Sequence, residues 1–136
     1  MKSNEYIHKV HYYETDKMAV VHHSNYVRWM EEARIDFLAQ IGWEMTKLEE
    51  MGIISPVTAV ECKYKAMTKF ADEIHIFVSV EEYKGVKLRL KYRMLRENEV
   101  VCEGHTEHCF LDANGRILRL KKEYPDFHET LTGLVD

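Results

Sequence analysis

The chain is poor in residues that break or cross-link a backbone. Of its 136 residues only six are glycine and two are proline, too few for a collagen-like or linker-rich chain. Three cysteines, Cys62, Cys102 and Cys109, make an odd, widely spaced set with no CxxC pair. Neither a disulfide framework nor a structural zinc site is expected from them, and a reducing cytoplasm is the expected compartment. No run of about 18 apolar residues is present to span a bilayer. The opening MKSNEYIHK lacks the apolar centre of a signal peptide. Charge of one sign is also scarce: 19 Lys+Arg stand against 23 Asp+Glu, a formal −4, without long single-sign blocks. A wide electrostatic footprint for nucleic acid or an anionic membrane is therefore not expected.

What is present is enough apolar material for a core. Hydrophobic residues make up 46% of the chain, which excludes disorder, and the length suits one domain spanning 1–136. Residues 6–13 read as a strand, with β-branched Ile7 and Val10 among aromatics. From Ser24 to Ile41 the period becomes helical: Tyr26, Met30, Ala33, Phe37 and Ile41 recur at three- and four-residue steps. Ser24 is the candidate N-cap and Gly42 the candidate stop, with a shorter helix near 44–51. Thereafter the period is two. Val60, Cys62 and Tyr64 alternate with Glu61, Lys63 and Lys65. Ile74, Ile76, Val78 and Val80 alternate with Glu73, His75 and Ser79, and Leu88, Leu90, Tyr92 and Met94 with Lys87, Arg89, Lys91 and Arg93. Further strands are expected through 100–111 and near 116–121, joined by short turns. Strand, long helix, then four or five strands make an α+β fold with one antiparallel sheet packed on one main helix.

Chemistry-bearing residues concentrate in 12–34, YYETDKMAVVHHSNYVRWMEEAR. Asp16 falls in the loop after the first strand, and His22 and His23 fall just before the helix, where unpaired N–H groups favour negative charge. A carboxylate, an imidazole and a helix N-terminus in one loop suit acyl transfer: the acid attacks a carbonyl or activates water, and the N–H groups hold the oxyanion. Asp16 reads equally as a turn residue after Thr15, and the histidine pair as a polar helix start. With no HxxxH or HExxH spacing, no metal site is expected.

Tyr13-Glu14-Thr15-Asp16-Lys17-Met18-Ala19-Val20-Val21-His22-His23-Ser24-Asn25-Tyr26, followed by Trp29 and Glu32-Ala33-Arg34, resembles the signature of hotdog-fold acyl-CoA thioesterases of the 4-hydroxybenzoyl-CoA thioesterase-like group. The likeness continues through Tyr64, Asp72-Glu73-Ile74, Gly104-His105-Thr106 and Leu111-Asp112, covering about residues 6–121. The resemblance implies a hotdog fold, a five- or six-stranded antiparallel sheet wrapped around one long central helix. It also implies a homodimer or homotetramer with active sites between subunits. Asp16 matches the catalytic carboxylate, as nucleophile or general base. His23 matches the position whose backbone N–H polarises the thioester carbonyl. Val21, His22, Tyr26, Lys65 and Arg89 are the candidate substrate-binding residues. Two positions depart from the family pattern: Ala19 stands where glycine is usual, and Met67-Thr68 where Pro-Ala is usual, in the wall of the acyl pocket.

Lys87, Arg89, Lys91 and Arg93 form a basic stripe on one strand face. It reads as a patch for coenzyme A phosphates or as a solvated face paired with acids on neighbouring strands. The expected activity is acyl-CoA hydrolysis to a carboxylic acid and CoA, without a cofactor. Dehydration of a β-hydroxyacyl thioester and a non-catalytic binder of acyl thioesters or acyl carrier protein are the competing readings.

Overall fold

The computed structural model describes residues 4–135. Five strands, β1 (Asn4–Lys9), β2 (Val57–Tyr64), β3 (Glu73–Tyr83), β4 (Leu88–Arg96) and β5 (Glu99–His108), form one antiparallel sheet in the order β1-β3-β4-β5-β2. The long helix α1 (Ser24–Gln40) covers one face. The period-two residues of β3 and β4 behave as their spacing predicts, whereas on β2 Val60 and Tyr64 are exposed and Cys62 is half-buried, because β2 is an edge strand of the sheet. Ile74, Ile76, Val78 and Val80 on β3, and Leu88, Leu90, Tyr92 and Met94 on β4, are all buried. They meet Tyr26, Trp29, Met30, Ala33 and Phe37 of α1 in one apolar cluster. This is the expected α+β hotdog arrangement, with five strands. Gly104 on β5 lets the helix come close: a Cβ there would collide with the Met30 methyl and the Glu61 carbonyl oxygen.

The structure corrects three details. The strand expected over 6–13 ends at Lys9, and Tyr12–Glu14 make a 3-10 turn because Glu14 folds back to accept the His11 N–H. Ser24 is the first residue of α1 and not its cap; His23 holds the cap position and makes no side-chain cap bond. Instead of a strand over 116–121, only Ile117 bridges Leu111, and the chain turns into α3 (Leu120–Glu123) and α4 (Pro125–Leu134). Pro125 starts α4 with its φ already helical, and Phe127 and Leu131 seat its apolar side in the core.

At its other end α1 stops as predicted. Gly42 takes φ 89°, the Gly42 N–H donates to the Ala39 carbonyl and the Trp43 N–H to the Leu38 carbonyl. The short α2 (Met45–Glu50) follows. No helix among the described residues is long and apolar enough to cross a membrane. The three cysteines are free.

Candidate active site

The loop between β1 and α1 is a small closed ladder. Thr15 bridges Val21, the Asp16 N–H donates to the Val20 carbonyl, and the His22 N–H donates to the Glu14 carbonyl. Residues 17–19 cross its tip, with Ala19 at φ 63° donating to the Asp16 carbonyl. A left-handed backbone favours glycine, so the family's usual residue at this position has a direct physical reason, and alanine here carries strain of about 1 kcal/mol. The Asp16 side chain is exposed. One carboxylate oxygen accepts the Met18 N–H at 2.8 Å, and the other is left to solvent among the described residues.

The ladder ends on the α1 N-terminus. His22 Nδ1 lies 2.8 Å from the Ser24 hydroxyl, and the His22 and His23 rings are 4.3 Å apart. Among the described residues the His23 N–H meets no protein acceptor, so the positive end of the helix keeps a free donor beside the Asp16 turn. An open cleft of about 580 Å3 adjoins it, lined by Val21, His23, Tyr26, Tyr64, Lys65 and the stretch Ala66-Met67. Tyr26 presents its ring, because its hydroxyl is 2.7 Å from the buried Thr68 hydroxyl. The Thr68 carbonyl accepts the Val21 N–H, and Arg96 holds the Met67 carbonyl at 2.6 Å, so the far wall is tied to the ladder and to the sheet.

Beneath the turn lies a buried acid. Glu14, 4% exposed, accepts from His8 Nε2 at 2.9 Å, the His11 N–H at 2.8 Å and Trp29 Nε1 at 2.8 Å. Burial alone would raise its pKa, but those three donors outweigh it and hold the carboxyl below its ordinary range. On its outer side His8 Nδ1 is 3.6 Å from Glu32, which also accepts from the Tyr6 hydroxyl.

Of the residues singled out from the sequence, Val21, His23, Tyr26 and Lys65 come together in the cleft wall, with Asp16 and His22 on the adjoining ladder. Lys65 also pairs with Glu103 at 3.5 Å. Arg89 does not join them. It lies toward the far end of β4 on the opposite sheet face, held by Glu107 at 2.5 Å and Glu81 at 3.3 Å. Lys87 pairs with the same Glu107, and Arg93 approaches Glu103, so most of the basic stripe is matched by acids on neighbouring strands. Sequence reading passed over Ala66 as a wall residue and Glu14 as an anchor. The signal for Glu14 was its place where the strand pattern broke, an acid that a turn alone would leave in solvent. Among the described residues no cluster of His, Cys, Asp and Glu could hold a metal.

This fold and this loop match those of a known class. The family model of the thioesterase-like superfamily matches residues 10–131, and the chain belongs to that family. Its enzymatic class is thioester hydrolase. Among relatives of known structure, a DHNA-CoA thioesterase from Staphylococcus aureus superposes with a TM-score of 0.93 at 32% identity, covering 98% of this chain and 91% of that one. A provisionally named esterase of Aquifex aeolicus (strain VF5) is 34% identical over 87% of this chain and 91% of its own length. A provisionally named acyl-CoA thioesterase, YneP of Bacillus subtilis (strain 168), is 28% identical over 88% of each.

Proposed function

We propose that this thioesterase hydrolyses acyl-CoA thioesters to a carboxylic acid and free CoA, with Asp16 as general base for water or as nucleophile. The observation that carries the reading is the pairing of an exposed carboxylate with the free His23 N–H at the α1 N-terminus across one short ladder, beside an aromatic-walled cleft. The thioester carbonyl oxygen accepts the His23 N–H at the positive end of α1. Asp16 takes a proton from water as it attacks, or attacks the carbonyl carbon itself. The tetrahedral intermediate collapses with cleavage of the C–S bond. The general-base route gives the free acid directly; the nucleophilic route gives an Asp16–acyl anhydride that water then hydrolyses to the acid and the free Asp16 carboxylate. A thiolate leaves readily because an ordinary thiol titrates near about 8.5, so no strong general acid is required. Val21, Tyr26 and His22 contact the acyl and thioester portion, and Lys65 at the rim meets phosphate.

The same reading makes the active unit a homodimer, with assembly to a tetramer compatible with it. β2 is an edge strand whose residues are nearly all exposed, and Val27 of α1 with Val57 and Val60 of β2 leaves an apolar strip beside it. The proposed compartment is the cytoplasm, where acyl-CoA is made and used.

The test is thiol release from a panel of aromatic and aliphatic acyl-CoAs, with an acyl carrier protein thioester alongside. Asp16→Asn is expected to lower kcat by about 10²–10⁴-fold, the range for loss of an acid–base group. A loss under about tenfold, 1.4 kcal/mol, removes Asp16 from this role. Enoyl product without thiol release would instead identify a dehydratase, and tight acyl-CoA binding without turnover a binding module.

A further inference from the structure

Glu14 lines no part of the cleft, yet two elements, β1 and α1, hold the Asp16 turn through it. Its side chain is pinned to β1 by His8 and to α1 by Trp29. Its backbone carbonyl accepts the His22 N–H at 2.9 Å and Asn25 Nδ2 at 3.0 Å. Asp16 follows two residues later, on the ladder whose first rung is this Glu14–His22 bond. The ladder holds the Asp16 backbone, and among the described residues the Met18 N–H alone is bonded to its carboxylate.

We propose that Glu14 is a positioning residue for the reaction: its buried carboxylate, held by Trp29, His8 and the His11 N–H, sets the spacing between the Asp16 carboxylate and the His22–His23 backbone. The proposal rests on the reading of Asp16 as base or nucleophile. The chemistry requires a carboxylate and no isostere. One oxygen faces the His11 N–H and the other the Trp29 indole N–H, and neither group can do anything but donate. A glutamine turned either way presents its NH2 to one of these donors, so the turn must shift to relieve the contact. Shifts of about 1 Å in reacting groups reach 10²-fold in rate.

Glu14→Gln is therefore expected to lower kcat by about tenfold or more, with KM within about threefold, because the residue acts on the reacting groups and not on the cleft wall. Trp29→Phe removes one of the two obligate donors. In the double variant the glutamine NH2 faces no donor, and its kcat loss is expected to fall below the product of the two single losses. Urea midpoints and near-UV circular dichroism establish the folded fraction to which each kcat is referred. Where Glu14→Gln does not fold, Trp29→Phe alone is expected to lower kcat severalfold at unchanged KM, since the carboxylate stays but loses one tether. The proposal is overturned by a kcat within about twofold of wild type per folded molecule, or by a loss in the double variant equal to that product. Asp16→Asn in the same assay separates the two ideas. If it remains active the reading of Asp16 fails. If it is inactive while Glu14→Gln turns over normally, only the positioning role fails.

Discussion

The two ends of α1 are finished in different ways. At the C-terminal end the Gly42 and Trp43 N–H groups turn back onto the Ala39 and Leu38 carbonyls. The Trp43 and Phe110 rings then close over Phe127, with centroids 4.7 and 5.5 Å from it. At the N-terminal end the His22 imidazole accepts the Ser24 N–H while His23 makes no side-chain cap bond, the rings of His22, His23 and Tyr64 stand exposed, and the anchor is the polar Glu14. Apolar closure is non-directional and tolerates small shifts, so it suits an end that only has to stay shut. A hydrogen-bonded acid fixes direction as well as contact, which is what the reacting carboxylate proposed two residues away, Asp16, requires. Apolar closure is concentrated at one end of the helix and the proposed chemistry at the other.

That division can be broken from either side. Phe127→Ala empties a fully buried ring position and is expected to cost about 3–5 kcal/mol in urea unfolding, while kcat of the folded fraction stays unchanged. A parallel fall in kcat would mean the two ends are coupled. Acid should weaken the protein through groups outside the cleft. His108 is fully buried, with Nε2 2.7 Å from the Thr106 hydroxyl. Burial first, then the Arg34 guanidinium, lowers its pKa from 6.5 to about 4. The unfolded chain takes up this proton near 6.5 and the native one only near 4, so the contribution is complete above 6.5 and is lost as pH falls through that window. It amounts to about 3 kcal/mol at most. Glu14, also lowered, adds in the same direction at more acid pH, below its ordinary 4.5. Urea midpoints between pH 7 and 4 should decline, and His108→Gln should flatten the upper part of the slope.

Gly104→Ala is expected to lower stability by about 1–3 kcal/mol, as α1 and β2 move apart, and Tm reads it directly. The smallest effect is expected at Arg89. Its ion pairs are partly exposed, so Arg89→Ala should change stability by less than about 1 kcal/mol and leave KM for acyl-CoA nearly unmoved. A tenfold rise in KM, about 1.4 kcal/mol, would instead put coenzyme A phosphates on that sheet face.

Much of this was legible before any fold was in view. The helix from Ser24 onward, its stop at Gly42 and the buried alternation of β3 and β4 follow from spacing, because each buries one apolar stripe or face. Asp16, His22 and His23 were legible as a group because a single loop carries them, and Tyr26 joined them through the family resemblance of the first helical turn. The C-terminal helices were not: Ile117 and Leu118 look like strand residues locally, and only the packing of Phe127 and Leu131 decides for helix. Lys65 and Arg89 read alike as basic strand residues, and the structure separates them onto a cleft rim and an ion-paired outer face.

Sequence alone determined the element order as far as β5, the core faces of α1, β3 and β4, and the loop on which the proposed reactive groups sit, since periodicity and turn chemistry are local properties of the chain. Tertiary structure decided which charges are spent and which are free. It paired Arg89 with Glu81 and Glu107, buried Glu14 against Trp29 fifteen residues along the chain, and left one oxygen of Asp16 in solvent. A carboxylate's role depends on the donors around it, and those donors come from distant segments that only the folded chain brings together.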